Sequence, residues 1–211
     1  MVVSEYLHSR EKRALDLVVA SSIGSMTLAA GMTAALVVKA VNGSPMFFRQ
    51  ERAGVGNKPF DMLKLRTMDD RRRVLRLASY LRSSGLDETP QFLHVFFGHM
   101  SVVGHRPLPV DDDNEIRRRM HGHGHSENVD EWLELKEQTK PGIVSPGHTF
   151  THNFQSDSVA HMLGVIHRET SYLRGAGIMT DLHILAHTPL SLIMGHDPII
   201  PRDGLDLSPE V

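Results

Sequence analysis

Cysteine is absent from the 211 residues of this chain. Its absence excludes a disulfide framework, a thiolate metal site and a cysteine nucleophile, and it leaves the redox compartment open. A strong charge of either sign is also missing, because the net charge at pH 7 is only −2. The composition therefore carries no overall signature of nucleic-acid binding. Hydrophobic residues make up 40% of the chain, which rules out wholesale disorder and allows one compact domain, with or without a membrane element.

One long apolar run is present, because residues 17–38 are 22 positions without a charged side chain. As a helix it covers roughly 33 Å, which is enough to reach across a bilayer. A signal peptide stays open as an alternative, although Lys39 rather than small cleavage-site residues follows the run. A buried helix of a soluble protein also stays open, since serine, threonine and glycine dilute the run.

Basic residues flank both ends of the apolar run, which favours a hairpin that returns to the membrane face it entered. Lys12, Arg13 and Asp16 stand where such a segment would enter the membrane. Snorkelling of the long basic side chains towards the headgroups is a sufficient interpretation of these positions.

Turn residues divide the rest of the chain into short elements. Short strands are predicted at residues 46–50 and 59–66, the second from an imperfect alternation of apolar and polar residues. Helical spacing of apolar residues predicts a helix over 71–81, and Pro90 stands in a first-turn position of a helix running to Phe97. Further helices are predicted at 111–120 and 127–138, both exposed and acidic, and at 158–173 and 178–194, the last with a break at Pro189. We therefore expect a helix-rich α/β fold, with a membrane segment at 1–41, a globular domain at 42–200 and a loose tail at 201–211.

Three histidines alternate with glycines at His121, His123 and His125. The spacing could hold a metal, but glycines give little rigidity and flanking ligands at helical spacing are missing. A flexible loop is the favoured interpretation.

Two adjacent carboxylates, Asp87 and Glu88, fall at or just before a predicted helix N-terminus. A carboxylate is a usable nucleophile towards phosphorus when the charge of the substrate is neutralised, and Mg²⁺ prefers oxygen ligands and can supply that neutralisation. Arg82 can offer a forked donor to phosphate close by. The alternative is a helix cap with a first-turn acid, which is common at any helix start. Lys64 and Arg66 are candidates of second rank for phosphate contact, because the exposed face of an edge strand explains them almost as well.

Six motifs, taken in order, resemble the bacterial sugar transferase family, in the short form of the monotopic phosphoglycosyl transferases. The resemblance covers about residues 10 to 195. The motifs are Lys12-Arg13-Ala14-Leu15-Asp16, Gly43-Ser44-Pro45, Lys64-Leu65-Arg66-Thr67-Met68, Leu86-Asp87-Glu88-Thr89-Pro90-Gln91, residues 98–107 and Lys140-Pro141-Gly142-Ile143. Six motifs in the order of the family, at near-family spacing, are far more specific than any one of them alone.

The resemblance implies a re-entrant membrane helix and a small catalytic domain on the cytoplasmic face of the bacterial inner membrane. It also implies a transfer of sugar 1-phosphate from a UDP-sugar to polyprenyl phosphate, through a covalent aspartyl intermediate, at the start of glycoconjugate or exopolysaccharide synthesis. On this basis Asp87 is the nucleophile, Glu88 is a ligand of the required Mg²⁺, and Arg82 and Arg106 contact phosphate. A homo-oligomer is left open.

The sequence also departs from the family pattern. The family usually carries Ser-Pro in the middle of the apolar run, where this chain has Leu28-Ala29. Histidines replace other residues at His94, His99 and His105, which could make phosphate affinity depend on pH. A later tryptophan-containing signature is missing. Two rival hypotheses follow: a catalytically silent relative that acts as a membrane scaffold for polysaccharide enzymes, and a soluble histidine-rich metal-binding protein.

Overall fold

The computed structural model describes residues 2–43, 45–71, 73–76, 78–110, 112–147 and 159–194. Side chains are described up to residue 188. A 3₁₀ turn at Glu5–His8 precedes the long helix α1 (Arg10–Asn42). The other elements, in chain order, are β1 (Phe47–Ala53), β2 (Pro59–Leu65), α2 (Ala78–Ser83), α3 (Gln91–Phe97), β3 (Ser101–Val103), α4 (Asp112–Gly122), α5 (Ser126–Glu137), β4 (Gly142–Val144), α6 (Val159–Gly175) and α7 (Ile178–Met194). The predicted helix-rich α/β fold is confirmed. The predicted tail lies outside the described residues.

Helix α1 does not turn back within the apolar run, so the predicted hairpin is not found. A π-helical turn at Ala20–Gly24 is its one irregularity between Arg10 and Asn42, and the residues on either side of that turn keep helical dihedral angles. The physical reason is local, because Leu28-Ala29 leaves every backbone donor in place where proline would remove one. By length and composition α1 could cross a membrane, and it alone among the described helices passes that test.

One face of α1 packs on the globular domain over the whole length of the helix. Its buried residues follow one helical stripe: Lys12, Asp16, Ala20, Gly24, Gly31, Ala35 and Val38. The other side exposes large apolar residues: Val18, Ile23, Met26, Leu36, Val37 and Val41. The helix is therefore covered on one side only.

Glycines allow this close approach. A Cβ atom at Gly31 would stand 2.5 Å from Thr89 Oγ1 and 3.0 Å from the carbonyl oxygen of Leu86, and one at Gly24 would stand 2.7 Å from the Phe92 ring. The two glycines that dilute the apolar run are thus the points at which the backbone of α1 meets the segment that follows α2.

The start of α1 is held by a buried polar network. Lys12 Nζ contacts Asp181 Oδ2 at 2.6 Å and donates to the Val103 carbonyl at 2.9 Å. Asp16 accepts from the Ser101 hydroxyl and the Val102 amide, each at 2.9 Å. Both side chains are almost fully buried, at 4% and 3% exposure. The snorkelling interpretation is therefore wrong for Lys12, because its side chain points into the protein, where Asp16 is buried beside it.

Two small sheets complete the fold. Strands β1 and β2 pair antiparallel, with Phe47 opposite Leu65 and Ala53 opposite Pro59. Strands β3 and β4 pair parallel, with Ser101 opposite Gly142. Both predicted strands between residues 46 and 66 are confirmed, and residue 46 itself lies just outside β1.

The helix predicted over residues 71–81 is wrong for most of its length, since α2 begins only at Ala78. The Asp69 carboxylate accepts from the backbone amides of Arg71 and Arg73, at 2.9 and 2.8 Å. The Leu75 amide donates to the Thr67 carbonyl. An aspartate that satisfies nearby amides in this way stabilises a turn in place of a helix.

The acidic helices α4 and α5 are confirmed, but α5 is not simply exposed. It buries Val129, Trp132 and Leu133 in an apolar cluster with residues of α4 and α6, and Leu135 in a second cluster that includes Tyr172 and Leu173 of α6. His121 is the penultimate residue of α4, and its Nε2 lies 3.0 Å from Asp130 Oδ2. The predicted histidine loop is therefore partly helical. Helix α7 continues past Pro189 without the predicted break.

Candidate active site

The carboxylate pair lies in the short connection between α2 and α3. Gly85 adopts a left-handed conformation (φ 69°), which residues with side chains rarely adopt. A 3₁₀ turn at Leu86–Glu88 follows, and the Glu88 amide donates to the Gly85 carbonyl at 3.1 Å. Pro90 takes the N-cap position of α3. The alternative that Asp87 or Glu88 caps this helix is therefore wrong.

Glu88 is ion-paired with Lys64. The distance from Glu88 Oε1 to Lys64 Nζ is 2.7 Å, and the two side chains are 43% and 22% exposed. Lys64 lies in β2, whose pairing with β1 fixes the direction of its side chain. The structure thus brings together two of the predicted site residues from separate parts of the sequence.

A small cavity of about 30 Å³ lies beside this ion pair. Its charged lining consists of Arg52, Lys64, Glu88 and Arg106. Burial lowers the pKa of the Arg52 and Arg106 guanidinium groups, and the Glu88 carboxylate opposes this shift in both. Three cationic side chains therefore line one cavity with Glu88, and the charge of Asp112 also acts on both arginines. Convergent guanidinium and ammonium groups can donate to phosphate oxygens.

Asp87 stands next to this cavity in the same turn. Burial raises the pKa of its carboxyl to about 6, and the neighbouring Glu88 charge adds to the rise. Lys64 and Arg82 act in the opposite direction. A carboxylate of raised pKa is, once ionised, more nucleophilic than one of ordinary pKa.

Two of the predicted site residues, Arg82 and Arg66, do not line the cavity. Arg82 is exposed, although its charge lowers the pKa of Asp87. Arg66 lies apart from the site, because its guanidinium pairs with Asp70 at 2.5 Å and donates to the Met68 carbonyl at 2.9 Å. The structure therefore does not support a phosphate contact for Arg66 in this conformation.

Sequence reasoning missed Glu169, which orders one wall of the cavity. Its fully buried carboxylate accepts from the Arg106 amide (2.8 Å), the Trp132 indole (2.8 Å) and the Ser145 hydroxyl (2.5 Å). The available signal was an acid on the apolar face of α6, three residues from both Ile166 and Tyr172. Sequence reasoning also missed Arg52, because nothing in its local sequence points to the cavity.

The three substituted histidines do not line the cavity. His94 Nε2 accepts from the Leu63 amide at 3.1 Å. The ring nitrogens of His105 lie 3.2 and 3.3 Å from the Arg106 and Thr139 carbonyl oxygens. Burial lowers the pKa of both imidazoles, and His99 is exposed. A phosphate affinity that depends on these histidines stays a prediction without a direct contact to support it.

Asp87 and Glu88 supply the oxygen donors that Mg²⁺ prefers. Within the described residues no group of three or more histidine or acidic side chains could enclose a metal ion. Mg²⁺ commonly binds through one or two carboxylates and completes its coordination with water and substrate phosphates. The donor set therefore fits a metal that arrives with a phosphorylated substrate.

Taken together, the site places a partly buried carboxylate of raised pKa beside three cationic side chains on a helix-rich α/β fold. The sequence model of the bacterial sugar transferase family matches residues 7–195. The chain belongs to the bacterial sugar transferase family.

Several curated relatives are similar over most of the chain. A UDP-glucose:undecaprenyl-phosphate glucose-1-phosphate transferase of Klebsiella pneumoniae is 33% identical over 187 residues, which is 82% of this chain and 38% of the relative. The protein of the same name from Caulobacter vibrioides is 31% identical, over 86% of this chain and 69% of its own length. The exopolysaccharide production protein PSS of Rhizobium leguminosarum is 28% identical, over 85% of this chain and 94% of its own. The chain thus spans less than half the length of the Klebsiella relative.

Proposed function

We propose that this chain transfers a sugar 1-phosphate from a UDP-sugar to polyprenyl phosphate. The observation that carries the proposal is the partly buried Asp87–Glu88 pair beside three converging cations, in a chain of the bacterial sugar transferase family. Relatives named as UDP-glucose:undecaprenyl-phosphate transferases make UDP-glucose the first donor to test and undecaprenyl phosphate the first acceptor. The product would start glycoconjugate or exopolysaccharide synthesis.

The chemistry begins at the Asp87 carboxylate. It attacks the β-phosphorus of the UDP-sugar, the bond to the bridging oxygen breaks, and UMP leaves with that oxygen. The sugar phosphate is then held on Asp87 as an acyl phosphate. The phosphate oxygen of polyprenyl phosphate attacks the same phosphorus, which releases the Asp87 carboxylate and forms a polyprenyl diphosphate sugar.

Lys64, Arg52 and Arg106 neutralise the diphosphate during this exchange. Mg²⁺, bound through Glu88, would supply further neutralisation of the phosphate oxygens when present. The cavity of about 30 Å³ has room for little more than a water molecule. A diphosphate therefore has to open the Lys64–Glu88 ion pair, which frees the ammonium for phosphate and the carboxylate for the metal.

The exposed side of α1 gives the membrane contact in this proposal. The domain covers the opposite side from Lys12 to Val38. A straight span across the bilayer would place that polar domain in hydrocarbon, where unpaired polar groups cost several kcal/mol each. We therefore infer that α1 lies along the cytoplasmic face of the inner membrane, with Val18, Ile23 and Met26 towards lipid.

The proposal is tested by trapping the intermediate. Detergent-solubilised protein, Mg²⁺ and UDP-glucose, without lipid acceptor, are expected to give an intact-mass increase of one hexose phosphate and release of UMP. Asp87→Asn is expected to give neither, because the amide does not attack phosphorus. Asp61→Asn serves as the control, since Asp61 is an exposed carboxylate in β2 and is expected to leave the adduct intact.

The scaffold hypothesis predicts a different result. Its supporting observation is that Glu88 is already engaged by Lys64 at 2.7 Å beside a cavity of only about 30 Å³. A folded protein that forms no adduct with UDP-glucose or any other UDP-sugar, and transfers no label to undecaprenyl phosphate, would contradict the transferase proposal in favour of this one.

A further inference from the structure

A second and larger cavity, of about 420 Å³, lies at the start of α1. Its walls are the first two turns of α1, the end of β3 and the segment before β4, and they include Arg10, Arg13, Gln138 and Lys140. No lining residue is shared with the cavity beside Glu88. It is therefore a separate site, and nothing in the proposed transfer reaction uses it.

Four cationic side chains and one carboxylate line this cavity, but most of them are satisfied within the protein. Lys12 and Asp16 belong to the buried network with Asp181 and Ser101. The Arg13 guanidinium donates to the carbonyl oxygens of Val95 and Phe96, at 2.6 and 2.8 Å, at the C-terminal end of α3. These bonds fix the walls and leave Lys140 and Arg10 as the donors to consider.

Lys140 is the distinctive group. Its side chain is half-buried, and within the part of the chain that the structure describes it has no hydrogen-bond acceptor or ion-pair partner. Burial lowers the pKa of its ammonium, the charges of Arg13 and Lys12 add to this, and Asp16 opposes it. A half-buried ammonium among other cations is unfavourable unless an anion joins it.

We propose that this cavity binds a phosphate group through Lys140 and Arg10. The volume is ample for a phosphate with its attached glycerol, and the two side chains supply charged donors to several phosphate oxygens. The exposed apolar side of α1 begins at Val18, two residues after the last lining residue of the helix, Asp16. A phosphate in the cavity therefore stands at the polar end of the surface that, under the proposed function, contacts lipid.

The phosphate can come from an anionic lipid or from solution, and the experiment separates these sources. The full chain in detergent is titrated with inorganic phosphate by calorimetry, and its bound phosphatidylglycerol is counted by native mass spectrometry against phosphatidylcholine. Lys140→Gln is expected to weaken binding about tenfold in at least one arm, and Lys140→Arg to retain it. If Lys140→Gln weakens phosphate binding, the source is free phosphate, and if it weakens phosphatidylglycerol binding, the source is the lipid. Arg10→Gln provides a second test at an exposed residue if Lys140→Gln does not fold.

Two control variants test whether the loss of binding is specific to this cavity. Lys39→Gln removes an exposed lysine at the far end of the same helix and is expected to bind like the wild type. Asp87→Asn is also expected to bind phosphatidylglycerol normally, so a failure of the transfer reaction leaves this test intact. Equal binding by Lys140→Gln and wild type in both arms, or an equal loss in Lys39→Gln, would overturn the proposal.

Discussion

The carboxyl group of Asp87 is governed by opposing influences of its neighbours. Burial and the charge of Glu88 disfavour its ionised form, whereas Lys64 and Arg82 favour it, and the net effect is a pKa raised to about 6. In the proposed reaction, Glu88 and Lys64 therefore set both the charge around the phosphate and the protonation state of Asp87. The pH dependence of the first step therefore measures the pKa of Asp87 and the influence of its neighbours on it.

We predict that kcat/KM for UMP release rises with pH through about 6. The sign follows because the ionised carboxylate is the nucleophile and is lost by protonation as the pH falls. Single-turnover UMP release without lipid acceptor is the measurement, because the acceptor phosphate titrates in the same range. Glu88→Gln is expected to move the midpoint down, and Lys64→Gln to move it up.

Arg66→Gln is the matched control for that pH profile. Arg66 pairs with Asp70 and is not among the groups that shift the Asp87 pKa. Its removal is expected to leave the midpoint unchanged. Midpoints that move in the same direction in Glu88→Gln and Lys64→Gln would show that Asp87 is not the titrating group.

Glu169 is expected to matter for stability and for the shape of the cavity. Glu169→Gln keeps the shape of the side chain but puts a donor where a buried acceptor serves Trp132, Ser145 or Arg106. The loss should be about 1–3 kcal/mol in the free energy of unfolding. Thermal unfolding measures it, with Glu137→Gln, an exposed acid at the end of α5, as the control expected to show no change.

At the scale of elements, the contact between α1 and the Leu86–Glu88 turn connects the apolar helix to the candidate nucleophile. The absence of a side chain at Gly31 lets the helix backbone approach the buried Thr89, whose hydroxyl donates to the Leu86 carbonyl at 2.9 Å. The position of Asp87 therefore depends on how α1 lies against the domain.

Gly31→Ala tests this dependence with a single methyl group. Alanine favours a helix by about 1 kcal/mol over glycine, yet its Cβ would stand 2.5 Å from Thr89 Oγ1. We expect a loss of about tenfold in kcat with helix content unchanged, because small displacements of a reacting group are costly. Ser25→Thr adds one methyl group at an exposed position of α1. If both variants kept full activity, the contact would have no catalytic importance.

Elements were predictable where a single local signal decided them. Strands β1 and β2 lie where short strand-like segments predict them, and α3 ends at Phe97 as expected. Pro90 is the N-cap residue of α3 and does not take the first-turn position predicted for it. The segment before Ala78 was predicted wrongly because the side chain of Asp69 competes for amides that the apolar spacing assigned to a helix. Such competition depends on rotamer and turn geometry, which periodicity does not report.

At the scale of the whole molecule, one buried network joins the two ends of the described chain. Lys12 of α1 pairs with Asp181 of α7, and the Tyr6 and Tyr172 hydroxyls donate to the same carboxylate, at 3.0 and 2.7 Å. Asp181 is fully buried. The last helix is therefore part of the structure that holds α1 in place.

Lys12→Met is expected to destabilise the whole fold by about 3–5 kcal/mol, because it leaves Asp181 as a buried charge without its cation. The double variant Lys12→Met/Asp181→Asn is expected to recover part of that loss. Unfolding in detergent, followed by circular dichroism, measures both. Lys39→Met, at an exposed position of the same helix, is the control. A purely snorkelling Lys12 would instead give a small loss equal to that control.

The sequence by itself determined the family, the helix-rich α/β class and the carboxylate pair, because each depends on residue types at short spacing. Only the tertiary structure decided that α1 is continuous, that Lys12 and Asp16 are buried, and that Arg52, Arg106 and Glu169 assemble one site while Arg66 stays apart. The physical reason is that burial and long-range pairing arise from contacts between residues distant in the chain. No local pattern of charge or hydropathy specifies those contacts.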